Sequence, residues 1–161
     1  MKPKITFLLV VATAMLTSCG NKPETAKTAE QSLPIVGTWQ LISGTLIENK
    51  KTTVTDYTKD KKAIKIINGS HFCFLIHDLT KGKGPSAAFT AGGGKYTLIG
   101  DKYTEYLEFC NDRQWENNKF DFTITIKNDT LTQKGIEKID SIGVNRINIE
   151  KYARVKADTV K

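Results

Sequence analysis

The feature that most constrains the fold is a succession of short apolar segments separated by turn residues. From Ile35 onward, runs rich in Val, Ile, Thr, Tyr and Phe are interrupted about every eight to twelve positions by Gly, Asn, Asp or Ser, a spacing typical of antiparallel sheets. The stretch from Lys119 to Lys127 alternates apolar and polar residues throughout, as expected of a strand with one buried side. We therefore predict an all-β domain without a long helix.

This punctuation predicts strands near residues 36–46, 51–57, 62–68, 71–78, 94–99, 103–110, 118–127, 129–136 and 145–156. The run Gly92-Gly93-Gly94 is interpreted as one of the turns, because glycine tolerates the positive φ of tight hairpins. A meander of this kind forms either a sandwich or a closed barrel, and closure removes the exposed sheet edges. We expect a single antiparallel meander barrel of about eight to ten strands, a size that is able to hold one small ligand.

The N-terminus has the organisation of a secretory signal. Lys2 and Lys4 precede an apolar run over residues 5–15, which is too short to cross a bilayer as a stable helix. The segment Leu16-Thr17-Ser18-Cys19-Gly20 that follows resembles a bacterial lipobox. That resemblance implies that Cys19 becomes the mature N-terminus and is acylated with lipid chains such as palmitate. It implies a lipid-anchored location in the bacterial cell envelope, and the glycine after the cysteine favours the outer membrane.

The composition divides the chain into four parts. Residues 1–18 form the signal peptide, 19–32 the acylated N-terminus and a flexible linker, 33–157 the β-barrel domain and 158–161 a C-terminal tail. The barrel segment is long enough to bury a core without disulfides. The formal net charge of the whole chain is +7, which suits a location near anionic lipid headgroups. The secretory signal excludes nucleic acid as a partner.

Two motifs at the ends of the barrel segment carry a resemblance to a known family. Gly37-Thr38-Trp39 in the first strand and Tyr152-Ala153-Arg154 in the last resemble the lipocalin-like (calycin) domains, and the hairpin over residues 95–106 is similar to small lipocalin-like envelope lipoproteins of bacteria. The resemblance spans about residues 34–156 and implies a barrel that carries a small apolar molecule. It also implies a structural contact in which the Arg154 guanidinium stacks on the Trp39 indole.

The candidate ligand-binding residues are apolar and aromatic side chains that we expect to face the barrel interior. They are Phe72, Phe74, Ile76, Tyr106, Trp115, Phe120, Phe122 and Ile124. Trp115 differs from the rest because it lies in a polar connection, where it either folds over the barrel end or contacts a ligand or partner. Periodicity does not separate the wall of a cavity from a solid core, so both interpretations stay open for every one of these residues.

The sequence shows no catalytic set, no metal cage and no cofactor motif, so we assign no catalytic residue, metal or cofactor. His71 and His77 are six positions apart, about 20 Å along a strand, and only one of them can share an ion with Cys73. Cys73 and Cys110 lie on predicted strands that are separated by another strand, about 9.6 Å apart. A disulfide needs Cα atoms within about 7 Å, so we do not expect a bridge.

Three hypotheses about function follow from these observations. The leading one is a non-enzymatic, membrane-anchored barrel that binds a small apolar or amphipathic molecule. The alternative is an interaction module with a solid barrel core, in which the loops around Trp115 and over residues 82–94 dock to an envelope protein. The third is a small barrel enzyme, which requires clustered ionisable groups in a cleft.

Overall fold

A computed structural model describes residues 34–156 of the chain, and these residues form nine β-strands and two short 3₁₀ helices. The 3₁₀ helices are Arg113–Trp115 and Asp140–Ile142. The strands are Gly37–Glu48 (β1), Lys51–Asp56 (β2), Lys61–Ile67 (β3), His71–Asp78 (β4), Phe89–Ile99 (β5), Lys102–Cys110 (β6), Asn118–Lys127 (β7), Thr130–Ile139 (β8) and Val144–Arg154 (β9).

The strands form one closed antiparallel sheet. From β3 to β9, consecutive strands pair with each other, and β9 pairs with β1 to close the barrel. Along its other edge, β1 pairs with β3 through residues 37–40 and with β2 through residues 43–48. The result is an eight-strand barrel with β2 as an extra strand. The predicted all-β meander barrel is confirmed.

The two ends of the barrel differ in their connections. At one end, here called the closed end, the strands are joined by the short turns 68–70, 100–101 and 128–129. The opposite end, here called the open end, carries the connections 49–50, 57–60, 79–88, 111–117 and 140–143. Long connections tend to carry binding functions on a rigid scaffold, so a ligand site is expected at the open end.

The closed end is plugged by the first and last strands. Trp39 is fully buried, and its indole N–H donates to the Ile35 carbonyl at 2.7 Å. The guanidinium carbon of Arg154 lies 4.1 Å from the centre of the Trp39 ring. Its N–H groups donate to the carbonyls of Pro34 and Val36 at 2.6 and 3.0 Å. The cation–π contact that the lipocalin resemblance implies is therefore present.

The first glycine of the Gly37-Thr38-Trp39 motif is required by this plug. Gly37 has a φ of +145°, a backbone conformation that residues with a Cβ rarely adopt. A Cβ at this position would lie 2.8 Å from Nη1 of Arg154. Gly37 therefore permits both the local chain direction and the close approach of the guanidinium.

The side chains that fill the closed half of the barrel are apolar or aromatic. They include Trp39, Ile67, Phe72, Tyr103, Ile124 and Leu131, each at most 3% exposed. On β7, Phe120, Phe122 and Ile124 are buried in alternation with more exposed neighbours, as the sequence pattern predicted. The apolar core stabilises the barrel mainly in this half.

The prediction that Gly92-Gly93-Gly94 forms a turn is wrong, because these residues lie inside β5. A Cβ at Gly93 would lie 2.5 Å from the Phe72 carbonyl oxygen of β4, and a Cβ at Gly94 would clash with the Tyr106 carbonyl of β6. A bulge in the β5–β6 register occurs between Gly93 and Gly94. Glycine is needed here for the close approach of neighbouring backbones rather than for a reversal of the chain.

The two cysteines of the barrel are free thiols. β5 lies between the strands that carry them, with Gly93 opposite Cys73 and Gly92 opposite Cys110. The predicted strand order, in which one strand separates Cys73 from Cys110, is therefore present.

Several sequence predictions lie outside the described residues. They are the signal peptide, the lipidation of Cys19, the linker and the C-terminal tail, all of which fall within residues 1–33 and 157–161. Within residues 34–156, no helix is long and apolar enough to cross a membrane.

Candidate ligand-binding site

The open half of the barrel encloses a cavity of about 520 Å³. Ligand pockets in proteins typically measure about 300–1,000 Å³, so this cavity is large enough for one small molecule. At the open end of the barrel, the cavity is lined by the partly exposed side chains of Tyr57, Trp115 and Arg146. The barrel is therefore hollow in one half and packed in the other.

One side of the cavity is apolar. It is formed by side chains of β1, β4, β6 and β7, namely Leu41, Leu46, Phe74, Ile76, Leu107, Phe120 and Phe122. Trp115 lies beside this wall, with its ring centre 5.9 Å from that of Phe120. Contact with these residues would remove the apolar part of a ligand from water.

The inward faces of β8 and β9, here called the polar wall, carry polar side chains. The alternating inward positions of these two strands hold Gln133, Glu137, Arg146, Asn148, Glu150 and Tyr152. Two adjacent antiparallel strands thus present a continuous set of hydrogen-bond donors and acceptors. The cavity is therefore amphipathic, with apolar and polar side chains in one lining.

A buried ion pair between β3 and β6 contacts the polar side chains of β8 and β9. The Lys65 ammonium lies 2.6 Å from Oε1 of Glu105, and their side chains are 3% and 8% exposed. The same ammonium donates to Oε1 of Gln133 at 2.9 Å and lies 3.9 Å from Oε2 of Glu150. The Tyr152 hydroxyl donates to Oε2 of Glu150 at 2.6 Å. One lysine therefore connects β3 to β6, β8 and β9.

Burial alone would lower the pKa of Lys65, but the adjacent Glu105 and Glu150 carboxylates outweigh it and raise the pKa above the usual value. The ammonium therefore stays charged at neutral pH. Aromatic rings of Phe72, Tyr103 and Tyr152 have their centres 5.6, 5.9 and 5.4 Å from Lys65 Nζ. These rings offset part of the lost hydration of the charge.

Tyr103, whose ring lies beside the Lys65 ammonium, carries a buried hydroxyl. Its hydroxyl is buried and has no hydrogen-bond partner among the described residues. Burial, followed by the charge of Glu105, raises the pKa of this phenol above its usual value. The hydroxyl therefore stays protonated.

A second ion pair lies nearer the open end. The Arg146 Nε donates to Glu137 at 2.6 Å, and Asn148 donates to the other oxygen of the same carboxylate at 2.7 Å. The Arg146 guanidinium carbon lies 5.0 Å from the centre of the Trp115 ring. These contacts order Arg146 and Trp115 at the rim of the cavity.

Five of the predicted ligand-binding residues line the cavity. These are Phe74, Ile76, Trp115, Phe120 and Phe122. Phe72 and Ile124 instead belong to the packed core, where they are 2% and 1% exposed. Trp115 is partly buried against the core at the open end, and its contact with a ligand or partner stays a prediction.

The prediction that Tyr106 faces the interior is wrong. Its side chain is 40% exposed on the outer surface, because the inward positions of β6 are Tyr103, Glu105 and Leu107. An aromatic residue is the more usual occupant of an interior position than a glutamate. Here the ion pair with Lys65 allows Glu105 to be buried.

Sequence reasoning missed the charged and amide side chains of the cavity. The sequence did contain a signal for them. Gln133 and Glu137 lie an even number of positions from the apolar Leu131 and Ile139 of β8, so all four share one face of the strand. Lys65 likewise stands between Ala63 and Ile67, both buried. Only the pairing of distant strands reveals that such inward charges have partners.

The cavity offers a ligand apolar contacts and hydrogen bonds. Glu105 and Glu137 are each engaged by a cationic partner. Among residues 34–156, no group of three or more His, Cys, Asp or Glu side chains is arranged to hold a metal ion. His71 and His77 lie outside the cavity lining, where their ring Nδ1 atoms contact the Ser70 hydroxyl and the Asp78 carbonyl.

No family model matches the sequence, and no curated protein matches it. Among solved structures, the chain is similar to a crystal structure of a variant of the fluorescent protein UnaG. The identity is 12% over 76% of this chain and 96% of that chain, with a TM-score of 0.38. The fold is therefore defined by the strand order and register of this chain itself.

Proposed function

We propose that this protein is a non-enzymatic binding protein that holds one small apolar or amphipathic molecule inside the barrel. The observation that carries the proposal is the cavity of about 520 Å³, which is lined by both apolar and hydrogen-bonding side chains. A barrel selected only for stability would be filled by its own side chains. Binding needs no cofactor.

The proposal is tested with a pair of variants on one strand. Phe122 lines the cavity, whereas Ile124 is buried but does not line it. Each change to alanine is expected to destabilise the barrel by about 2–5 kcal/mol. Only Phe122→Ala should also change the affinity for an uncharged fluorescent reporter such as N-phenyl-1-naphthylamine, measured by titration of the full chain. Unchanged affinity in both variants, or no reporter binding, would refute the proposal.

We further propose that the protein is anchored to the bacterial outer membrane through acylated Cys19. The support is the lipobox-like segment at residues 16–20 after an apolar run. Incorporation of labelled palmitate should be lost in Cys19→Ala and retained in Cys73→Ala, which removes a cysteine of the barrel. Separation of inner and outer membranes on a density gradient locates the labelled chain. Palmitate incorporation that persists in Cys19→Ala would contradict the anchor.

Docking to an envelope protein is a second candidate function. It is favoured by Phe89 and Phe109, which are 62% and 67% exposed on the outer surface at the open half of the barrel. The solid barrel core expected for this alternative is wrong, because the barrel contains a cavity of about 520 Å³, and docking is proposed here for the outer surface alone. Replacement of both phenylalanines by serine should abolish a specific cross-link in the native envelope while reporter binding is retained. A cross-link that survives the double replacement would exclude this surface.

A further inference from the structure

The ionisable side chains that line the cavity carry an excess of negative charge. Four carboxylates, Glu105, Asp112, Glu137 and Glu150, face two cationic groups, Lys65 and Arg146. Lys65 is neutralised by Glu105 at 2.6 Å, and Arg146 by Glu137 at 2.6 Å. The two carboxylates that remain are Asp112 at the rim and Glu150 inside the cavity.

Glu150 is positioned to accept a ligand group. One carboxylate oxygen, Oε2, accepts from the Tyr152 hydroxyl at 2.6 Å and lies 3.9 Å from the Lys65 ammonium. The other oxygen has no hydrogen-bond donor among residues 34–156. The side chain is 20% exposed and lines the cavity. It therefore has an available acceptor in the same cavity as the apolar side chains of β4, β6 and β7.

The cationic groups are less available to a ligand. The Lys65 ammonium donates to Glu105 and Gln133, and its remaining direction faces Glu150. Arg146 shares its charge with Glu137 at the rim. A carboxylate or phosphate that reached Lys65 would have to displace one of its acidic partners, and one that bound the Nη groups of Arg146 would lie beside Glu137, which accepts from Nε of the same guanidinium. An anionic ligand would also be repelled by Glu150 at short distance in a site of low dielectric constant.

We infer that the natural ligand is an uncharged or cationic amphiphile, whose hydrogen-bond donor or ammonium group contacts Glu150 while its apolar part lies against Phe74, Phe120 and Phe122. The inference rests on the proposed binding function. It assigns to Glu150 the role of a specificity-determining residue, because charge-assisted hydrogen bonds are among the strongest polar contacts in proteins.

The test compares three competitors with the same twelve-carbon chain. Dodecylamine, dodecanamide and dodecanoate are used below their micelle concentrations to displace N-phenyl-1-naphthylamine from the full chain, held at pH 7 in a nonionic amphipol. Protein-free amphipol is measured in parallel. Because the apolar chain is constant, differences between the competitors report the head group alone.

On the unsubstituted chain, dodecylamine should displace the reporter at a concentration about tenfold lower than dodecanoate does, a ratio that corresponds to about 1.4 kcal/mol. Dodecanamide should also displace it at a lower concentration than dodecanoate. Glu150→Gln should reduce the preference for the amine over the acid to about threefold or less. The matched control is Glu108→Gln, at a half-buried carboxylate 3.8 Å from Lys95 that does not line the cavity, and it should leave the tenfold preference in place.

The outcomes separate this inference from the binding proposal. Dodecanoate that competes as well as dodecylamine would overturn the ligand class while reporter binding still supports a binding barrel. Failure of the reporter and all three competitors to bind would overturn both. The order of the competitors on the unsubstituted chain needs no variant, so the inference stays testable even if Glu150→Gln does not fold.

Discussion

Replacement of Lys65 by methionine tests whether the buried ion pair determines the stability of the barrel. Methionine has a similar length but carries no charge, so Glu105 would remain buried without its partner. In the structure the two charged atoms lie 2.6 Å apart, with side chains 3% and 8% exposed. The Gln133 carbonyl would also lose its donor at 2.9 Å.

The size of the effect follows from this geometry. With an effective dielectric constant of about 20, two unit charges 2.6 Å apart attract each other by about 6 kcal/mol. The cost of removing both ions from water offsets much of this attraction. Loss of one partner leaves the other buried and uncompensated, which typically costs about 3–5 kcal/mol. Lys65→Met should lower the free energy of unfolding by that amount, and Glu105→Gln by less, because Lys65 keeps Glu150 nearby.

The measurement is a double-mutant cycle. Urea unfolding followed by tryptophan fluorescence gives the free energy of unfolding of the unsubstituted chain, Lys65→Met, Glu105→Gln and the double variant. Coupled residues in contact show interaction energies of about 0.5–3 kcal/mol, so the double variant should be destabilised by less than the sum of the two single changes. A loss below about 1 kcal/mol for Lys65→Met, or strict additivity, would refute the assigned ion pair.

Three further predictions concern the frame around the site. Gly37→Ala should lower the melting temperature, because the added Cβ meets Arg154 at 2.8 Å and φ is +145°; an unchanged melting temperature would contradict the close approach. Asp78→Asn should increase hydrogen exchange in residues 79–88, since its carboxylate accepts from three groups of that connection. These hydrogen bonds lower the pKa of Asp78, so its stabilising contribution is present above about pH 4 and decreases as the pH falls. The difference from the unsubstituted chain should shrink on acidification. In mass spectra without reductant, Cys73 and Cys110 should both be alkylated after denaturation; a mass two hydrogens lower and resistant to alkylation would exclude the β4–β5–β6 order.

The strands could be predicted from sequence because a half-buried strand repeats with a period of two. β7 shows this directly, with Phe120, Phe122 and Ile124 buried in alternation. The same period does not reveal depth along the barrel axis. Phe122 lines the cavity and Ile124 lies in the packed core, although they are two positions apart on one face. Depth is set by the stagger between strands, which depends on the pairing of distant segments.

Polar residues at inward positions are hard to predict for a different reason. A buried lysine is unfavourable by itself, and its partner Glu105 is 40 positions away in the sequence. Local pattern therefore favours an outward interpretation of such residues, and it led to the wrong orientation of Tyr106 on β6. The glycines of β5 were misinterpreted for a related reason. Glycine is required both where the chain reverses with a positive φ and where a neighbouring backbone approaches closely. Only the close approach applies in β5.

The position of the charges within the barrel is itself informative about their role. Replacement of a buried ion pair by packed apolar residues is often neutral or stabilising by about 1–4 kcal/mol, so stability alone gives little reason to keep such pairs. Both pairs, Lys65–Glu105 and Arg146–Glu137, line the cavity. The packed half around Trp39 is built from apolar and aromatic side chains. The proposed binding function gives these two pairs a role that stability does not, because charges that line the cavity would orient a bound molecule.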